Sequence, residues 1–535
     1  MELTGNSKRS EHIEPDFMNE EIAQEFNHYF STVGNKIQEK LGITAQPPEL
    51  PENIKDAIDA VTPSLTILVN LSYETNTVPD ALKQAIVRPI FKKEDKEKPE
   101  FYRPVSILPV ISKIFERSAT NQFISYLEKN EKLSNTQHAY RRNHSTITCL
   151  AELIDEIRRR RDRNETIGLL GMDLSKAFDS INHNILLQKI KEMGAGPNLM
   201  KWMRSYLSNR KQCVKFKNAK SSMEEVTSGV PQGSILGPVL FIIFTNSLAN
   251  HLKEYKISSY ADDTQILVSA ESPKEMKAKI EEVMKIAQEW YSEHSLLNNL
   301  TKTELMIITS KKSQKLYKNV EYVINEDEKT TKIKSKENMK ILGVWVDEDL
   351  KWNKQISNMK AKAFNNARNL SRVNQILPMK TKIQLYNSYV ASQLNYGDII
   401  WGGCSQENKK KLQQVQNFSL RTMTGKTSEE ARRSLNFLTL EEKRNIHYGT
   451  YGYKLANGKA PTNQCNLFDQ HRPSSKRLED QGKMKPPQHK TEQFKMSTTY
   501  KTINGWNAIP KDIKHHKTME TFKRNLQNWT CKTSE

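Results

Sequence analysis

Cysteine is scarce in this chain, and the few residues present do not group. The chain has 535 residues and five cysteines, at Cys149, Cys213, Cys404, Cys465 and Cys531. No Cys-x-x-Cys or Cys/His spacing is present that could close a zinc site, and the wide separation argues against a disulfide framework. The pattern predicts an intracellular protein in a reducing compartment, cytoplasmic, nuclear or both.

Long apolar runs are also missing. The N-terminus has no hydrophobic signal region, and the longest apolar stretch, residues 235–244, is interrupted by Gly237 and Pro238. Such a stretch is too short to span a bilayer, so we expect neither secretion nor membrane insertion. The basic run of residues 158–163 fits either a nuclear signal or, more simply, the solvated end of a helix that starts at Thr146.

Acidic residues are outnumbered over most of the chain. Lys and Arg total 82 against 62 Asp and Glu, which gives a net charge of +20. Residues 1–60 carry 5 basic and 12 acidic residues (net −7), which leaves 77 basic and 50 acidic residues (net +27) for residues 61–535. A basic body favours a polyanionic partner, because each phosphate contact releases condensed counterions. A solvated basic surface is the alternative that charge alone leaves open.

The order of patterns predicts an α+β protein with several parts. Residues 1–60 are predicted to form an acidic helical leader that ends in a proline-rich joint at residues 46–52. Residues 80–165 mix strand and helix patterns, residues 167–350 carry strand–helix–strand patterns, and the chain becomes almost wholly helical after Lys351. A polar stretch then separates a small last unit.

Two adjacent acids interrupt an alternating segment at residues 257–270, ISSYADDTQILVSA. Apolar residues flank the polar break, which predicts strand, tight turn and strand, with Asp262 and Asp263 at the tip of the hairpin. The simple alternative is that any hairpin turn favours Asp, because its short side chain bonds its own backbone.

A third acid, Asp173, follows the apolar run of residues 167–170 and is predicted to end a buried strand, before a helix that enters near Ser180 or Asn182. Two carboxylates brought together by adjacent strands repel by about 4 kcal/mol at 4 Å and an effective dielectric near 20. A pair of Mg²⁺ ions removes that conflict and supports in-line displacement at phosphorus. The alternative is helix capping, which Asp179 or Ser180 could also perform.

A glycine-rich loop and a lysine complete the pattern. Gly229, Pro231 and Gly233 predict a tight loop whose missing side chains admit another backbone, here a nucleic acid strand, with Gln232 as donor and acceptor. A turn before a core helix is the alternative. Lys302 precedes a predicted strand, which places a cation near the acids if the sheet is compact, and a solvated lysine is its alternative.

In this order the motifs resemble the reverse transcriptase of non-LTR, LINE-type and jockey-like retrotransposons, from about Pro79 to the C-terminus. The matching pieces are IVRPIFKKEDKEKPEFYRPVSILPVISKIFER, QHAYRRNHST, MDLSKAFDSINH, SGVPQGSILGPVLF, YADDT, NLTKTELMI and ILGVWVDEDLKW. The resemblance implies a right-hand polymerase within residues 79–350, with fingers at about 79–165 and a palm with an antiparallel sheet at about 166–350. A helical thumb would follow at 351–460, and a small helical C-terminal region at 461–535.

The resemblance also implies roles for individual residues. Asp173 and Asp262 would ligate two Mg²⁺ ions, for which Mn²⁺ is a substitute, with the carbonyl of Leu174 and the nearby Asp263 assisting. Lys302 would protonate the leaving pyrophosphate as a general acid. The residues that would bind the nucleotide are Arg103, Arg141, Phe178, Gln232 and Gly233. Among these, Phe178 would act as a steric gate against ribonucleotides. The residues that would support the primer end are Leu342, Gly343 and Trp345.

The implied activity is RNA-directed DNA synthesis that extends a primer hydroxyl on an RNA template, with a DNA primer or target and deoxynucleoside triphosphates as partners. No segment fits the endonuclease domain of such elements, so nicking would come from a separate chain. The segment before Pro79 is shorter than the family's, which predicts an internal deletion. The alternative is a truncated or domesticated remnant that binds nucleic acid without catalysis.

Overall fold

The computed structural model describes residues 58–92, 95–318, 320–326, 329–473 and 482–533. The predicted leader helix and the proline-rich joint of residues 46–52 lie outside these ranges. The described chain forms two compact units whose segments alternate along the sequence. The first unit consists of the described parts of residues 1–140, 174–251 and 286–299, and the second of those of residues 141–173, 252–285 and 300–535.

The first unit contains a mixed sheet centred on strand β1. β1 (Gln84–Phe91) pairs antiparallel with β2 (Tyr102–Ile107) and parallel with β5 (Arg210–Phe216). Two short strands, β6 (Ala219–Lys220) and β7 (Glu224–Val226), extend this sheet by pairing with β5. A separate two-stranded pair is formed by β4 (Leu174–Ser175) and β10 (Leu297–Asn298).

Helices of the first unit begin where the sequence supplies a cap or a proline. The side chain of Asn182 accepts bonds from the N–H groups of Asn184 and Ile185, so Asn182, and neither Asp179 nor Ser180, caps the helix after Asp173. The helices are α1 (Ile58–Glu74), α2 (Val110–Lys129), α4 (His183–Glu192), α5 (Pro197–Leu207), α6 (Gly237–Thr245) and α7 (Leu248–His251).

The second unit is built on a four-stranded sheet in which all pairs are antiparallel. The strand order is β11-β3-β9-β8, with β3 (Thr166–Met172), β8 (Lys256–Tyr260), β9 (Asp263–Ala270) and β11 (Glu304–Ile308). β3 is apolar and buried from Ile167 to Met172, as expected for a central strand with both faces covered. Two further hairpins are β12 (Glu321–Glu326) with β13 (Lys329–Lys334), and β14 (Asn338–Ile341) with β15 (Val344–Asp347).

Helices cover this sheet and continue to the C-terminus, as predicted for the chain after Lys351. Their apolar faces join the sheet in one core. The helices are α3 (Thr146–Asp162), α9 (Lys311–Tyr317), α10 (Asn353–Arg372), α11 (Met379–Leu385), α12 (Ser392–Asn395), α13 (Asp398–Trp401), α14 (Gln406–Thr424), α15 (Ser428–Leu435), α16 (Leu440–Ala456), α17 (Thr462–Asp469), α18 (Thr498–Ala508), α19 (Lys511–Lys514) and α20 (Met519–Thr533). Helix α8 (Pro273–Glu293) contains the boundary between the units.

The α+β prediction is confirmed, and one prediction about a surface is wrong. The basic run of residues 158–163 does end a helix that starts at Thr146. Arg158, however, is only 2% exposed. Its guanidinium Nη1 donates to the carbonyl of Gln493 at 2.9 Å. The prediction of a solvated helix end fails there because the C-terminal segment covers that face of α3.

None of the helices in the described ranges is long and apolar enough to cross a bilayer.

Candidate active site

The adjacent acids lie at the tip of a hairpin, as predicted. Tyr260, the last residue of β8, pairs with Asp263, the first residue of β9, so Ala261 and Asp262 form a two-residue turn. Ala261 has a φ of 56°. A residue with a Cβ rarely adopts this conformation, and such strain persists only where the surrounding structure holds it. The tight turn fixes Asp262 relative to the sheet.

Asp173 reaches the same end of the sheet from the neighbouring strand. Met172, the last residue of β3, pairs with Thr264 of the antiparallel strand β9. Asp173, which follows Met172, and Asp263, which precedes Thr264, therefore lie at the same end of the sheet. Desolvation, together with the charges of Asp262 and Asp173, raises the pKa of Asp263 to about 6. The three carboxylates are therefore close enough to repel one another, as the sequence predicted for strand-end acids.

Lys302 lies beside this cluster, which confirms the predicted nearby cation. It ends a short 3₁₀ turn, Leu300–Lys302, directly before β11. Its Nζ is 2.5 Å from Oδ2 of Asp173. Both side chains are partly exposed, at 41% for Lys302 and 27% for Asp173. Solvent screens a pair of this kind, so its contribution to stability is small. The contact instead places the Lys302 side chain at the edge of the cluster.

The chemistry of the cluster fits a hard divalent cation. Three carboxylates and one ammonium leave a net negative charge, and carboxylate oxygens are the donors that divalent ions such as Mg²⁺ prefer. Within the described ranges, no group of three or more His, Cys, Asp or Glu residues is arranged to hold a metal ion by itself. Asp173 and Asp262 are the residues that would hold the ion, together with oxygens from outside this carboxylate set. Leu174, whose carbonyl is the predicted additional ligand, lies in β4 and pairs with Asn298.

In the first unit, the glycine-rich loop is bonded along its length to the segment that follows β4. The N–H of Val230 donates to the carbonyl of Phe178, and the N–H of Gly229 donates to that of Ile181, both at 2.8 Å. The imidazole Nε2 of His183 lies 2.7 Å from the carbonyl of Gly229. These bonds hold the loop at a fixed distance from Phe178.

The two glycines of this loop are explained by the chain's own backbone. A Cβ on Gly229 would lie 2.7 Å from the carbonyl oxygen of Asp179, and one on Gly233 would lie 2.3 Å from that of Ser106. Their φ angles of 77° and 139° also exclude most side chains. The predicted close approach of another backbone is confirmed, but at these two positions that backbone is the protein's own. Contact between the loop and a nucleic acid strand stays a prediction.

Asp179, which the sequence indicated only as a candidate helix cap, contacts the glycine-rich loop. The amide Nε2 of Gln232 lies 2.9 Å from both carboxylate oxygens of Asp179. Burial raises the pKa of Asp179 to about 6. The carboxylate thus fixes which way the Gln232 amide points. The signal that could have found it is a second acid six residues after Asp173, close to a loop that carries a donor amide.

Phe178 and Arg103 are placed differently in the first unit. Phe178 is half-buried and stacks on Phe241 of α6, with ring centroids 4.6 Å apart. Arg103 is exposed on β2, opposite Ile90 of β1. The same strand carries Ser106, whose N–H donates to the carbonyl of Gln232 at 2.8 Å. The loop and the strand of Arg103 are therefore directly bonded.

The remaining predicted residues lie in the second unit. Arg141 begins the segment that leads into α3. Leu342 and Gly343 form the turn of the hairpin between β14 and β15. The N–H of Trp345 donates to the side chain of Gln355 at 3.0 Å. This bond fixes β15 to the start of α10.

Comparison with known proteins agrees with this geometry. Residues 91–346 match the family "Reverse transcriptase (RNA-dependent DNA polymerase)". The chain is 26% identical over 412 residues to "Probable RNA-directed DNA polymerase from transposon BS" of Drosophila melanogaster, covering 73% of this chain and 44% of the relative. It is 25% identical over 375 residues to the "RNA-directed DNA polymerase from mobile element jockey" of the same species, covering 68% and 40%.

Among solved structures, telomerase from Candida albicans in complex with a fragment of telomeric RNA matches with a TM-score of 0.40 and 11% identity over 68% of each chain. The chain spans less than half the length of the two retrotransposon relatives. Residues 91–346 therefore match the reverse transcriptase family, and the chain is similar to RNA-directed DNA polymerases of non-LTR retrotransposons.

Proposed function

We propose that this chain is an RNA-directed DNA polymerase that extends a primer 3′-hydroxyl on an RNA template by nucleotidyl transfer. The observation that carries the proposal is the group of carboxylates at one end of the second unit's sheet, where Asp173 follows β3 next to Asp263 and Asp262 occupies the hairpin turn. Crowded acids on rigid strand ends suit phosphoryl chemistry, in which positioning and electrostatics supply most of the catalysis.

In this proposal Asp173 and Asp262 hold Mg²⁺ ions, and Asp263 and the carbonyl of Leu174 assist. When bound, Mg²⁺ supplies charge neutralisation at the phosphates and a lowered pKa for the primer hydroxyl, and Mn²⁺ can replace it. Lys302 keeps a proton on Nζ and donates it to the leaving pyrophosphate. Its contact with Asp173 supports this role, because it places the donor beside the reacting groups.

Nucleotide and primer contacts follow the same proposal. Arg103 and Arg141 grip the triphosphate, for which a planar guanidinium fork is suited. Gln232 and Gly233 contact the template and the incoming nucleotide. The primer end rests on the hairpin of Leu342, Gly343 and Trp345. Residues 79–165 act as fingers, 166–350 as palm, 351–460 as thumb, and 461–535 as a small C-terminal region.

The proposed partners are an RNA template, a DNA primer or target, and deoxynucleoside triphosphates, with target nicking by a separate endonuclease chain. Synthesis on such partners requires an intracellular location, in the cytoplasm, the nucleus or both. Purified protein tests the activity directly on an oligo(dT)-primed poly(rA) template with Mg²⁺. We expect extension with dTTP, and absence of extension in both Mg²⁺ and Mn²⁺ would overturn the proposal.

Phe178 is proposed to exclude ribonucleotides. Phe178→Ala removes the ring next to the loop of Gln232, so the 2′-hydroxyl meets no obstacle. We expect the ratio of kcat/KM for UTP to that for dTTP to rise about 10-fold or more, the scale of discrimination by a hydrophobic pocket. Phe178→Tyr retains the ring and serves as the matched control. Equal sugar selection in all three proteins would show that Phe178 only packs on Phe241.

Asp179 is proposed to position the Gln232 amide for the nucleotide. Asp179→Asn leaves the size unchanged but removes the charge that fixes Nε2, and a hydrogen bond to a charged group contributes about 1.5–3 kcal/mol. We expect KM for dTTP to rise about 10-fold, with kcat changed by less than about 3-fold. Ser180→Ala, whose hydroxyl bonds the carbonyl of Lys176, is the control. An unchanged KM in Asp179→Asn would remove this role.

A further inference from the structure

A cleft lined by several basic side chains lies in the helical part of the second unit, away from every residue assigned above. It has a volume of about 340 Å³. Helices α14 and α15 and the first turn of α16 form its walls. Four basic side chains and one carboxylate line it, which leaves a net charge of +3: Lys409, Lys410, Arg432 and Arg444 with Glu441. Such a charge favours an anionic ligand.

The carboxylate is shared between two of these cations. Oε1 of Glu441 accepts from Nζ of Lys409 at 2.8 Å. Oε2 of the same residue accepts from Nη1 of Arg444 at 2.6 Å. Arg444 is 2% exposed and its guanidinium lies 4.9 Å from the ring centre of Trp401. The Glu441 carboxylate therefore fixes the positions of Lys409 and Arg444, and the side chains that line the cleft keep their net positive charge.

The other two cations have no carboxylate partner within the described residues. Nε of Arg432 is buried and makes no hydrogen bond, and the same holds for Nε of Arg444. Lys410 is exposed on α14. Buried guanidinium N–H groups are normally satisfied. Within the described residues the Arg432 side chain makes no hydrogen bond or ion pair, so its other guanidinium N–H groups are available to a ligand in the cleft that supplies oxygen acceptors.

The first turn of α16 adds a fixed positive potential. This helix is 17 residues long and is capped by Thr439, whose side chain accepts from the N–H of Glu442. Thr439 and Leu440 both line the cleft. The N-terminal end of a helix carries about half a positive charge and favours anions, phosphate groups in particular.

We propose that this cleft binds a phosphate group of a polynucleotide backbone. Two guanidinium groups, two ammonium groups and a helix N-terminus converge on a space large enough for a phosphodiester, and the guanidinium fork matches phosphate oxygens. The amide side chains of Gln413 and Asn417 also line the cleft. A free phosphate ion presents the same oxygens, so the test separates the two sources. Binding here does not depend on polymerase activity.

Two adjacent arginines of α15 provide the test. Arg432 lines the cleft, whereas Arg433 is 81% exposed, pairs with Glu429 and lies outside it. Arg432→Gln and Arg433→Gln remove the same charge from the same helix. The probe is a labelled 20-nucleotide single-stranded RNA, with affinity measured by fluorescence anisotropy from about 50 to 200 mM salt. A parallel arm records the melting temperature of the full chain with inorganic phosphate.

For Arg432→Gln we expect an affinity loss of about 3- to 10-fold at low salt. The slope of log K against log salt concentration should become smaller in magnitude by about 0.7, the value for one phosphate of a single strand. Arg433→Gln stays within 2-fold of the wild type. Lys410→Gln, an exposed position, repeats the loss without risk to the fold. If only the phosphate-induced rise in melting temperature is lost in Arg432→Gln, the cleft binds phosphate from a free source. Equal behaviour of Arg432→Gln and Arg433→Gln in both arms would overturn the proposal.

Discussion

Asp262→Asn is expected to reduce primer extension by roughly 10³-fold or more while leaving nucleic acid binding intact. The substitution keeps the size of the turn residue and removes one of the charges that bring a divalent ion to the sheet edge. Metal-ion catalysis contributes several kcal/mol to the stabilisation of the transition state, and each 1.36 kcal/mol corresponds to tenfold in rate. Single-turnover extension of a preformed primer–template complex measures the effect without interference from binding.

Glu304→Gln is the matched control for Asp262→Asn. Glu304 is the first residue of β11, lies in the same sheet and forms a partly exposed ion pair with Lys336. Glu304→Gln removes one charge from the same unit and leaves the carboxylate cluster unchanged. Because exposed ion pairs contribute little, we expect an extension rate within about 2-fold of the wild type. A similar loss of extension in both variants would mean that the cluster has no special role.

Asp155→Ala is expected to destabilise the second unit by about 3 kcal/mol. Asp155 of α3 is 6% exposed. Its carboxylate accepts from the N–H groups of Thr498 and Thr499 at 2.7 Å and from the hydroxyl of Thr499 at 2.6 Å. Alanine leaves these buried donors without an acceptor, which costs about 1–3 kcal/mol for each unsatisfied group. Burial also raises the pKa of Asp155, so the cost of burying its charge offsets part of the gain.

Asp162→Ala is the matched control on the same helix. Asp162 accepts from the N–H groups of Lys490 and Thr491 in the same manner, at 2.9 and 2.7 Å, but with solvent access. Water can replace this acceptor, so we expect a loss below about 1 kcal/mol. Thermal melting and limited proteolysis of the C-terminal segment compare the two variants. Equal losses, or no loss in Asp155→Ala, would show that the start of α18 is held by packing alone.

The local parts of the site could be predicted from the sequence because their signals are local. The hairpin of β8 and β9 follows from alternation around a polar break, and Asp173 at the end of β3 follows from an apolar run. The order of motifs then carried the resemblance to reverse transcriptases, which implied the antiparallel sheet. These inferences need only neighbouring residues and the period of a strand.

The contacts that the sequence did not reveal join distant segments. Gln232 and Asp179 are 53 residues apart. Arg158 and Gln493 are 335 residues apart, so a run of arginines that looks solvated includes a buried one. The space beside Gly229 and Gly233 was assigned to a partner because nothing in the loop reveals that Asp179 and Ser106 fill it. Tertiary packing decides such contacts, and single-sequence patterns do not encode it.

Sequencing the product of a single reaction tests whether this chain copies RNA into DNA. A DNA primer is annealed to an RNA of defined mixed sequence and incubated with the purified protein, four deoxynucleoside triphosphates and Mg²⁺. We expect extended DNA that is complementary to the RNA template, and no such product from Asp262→Asn. Product without complementarity to the template, or salt-sensitive binding of the primer–template with no extension, would contradict this expectation.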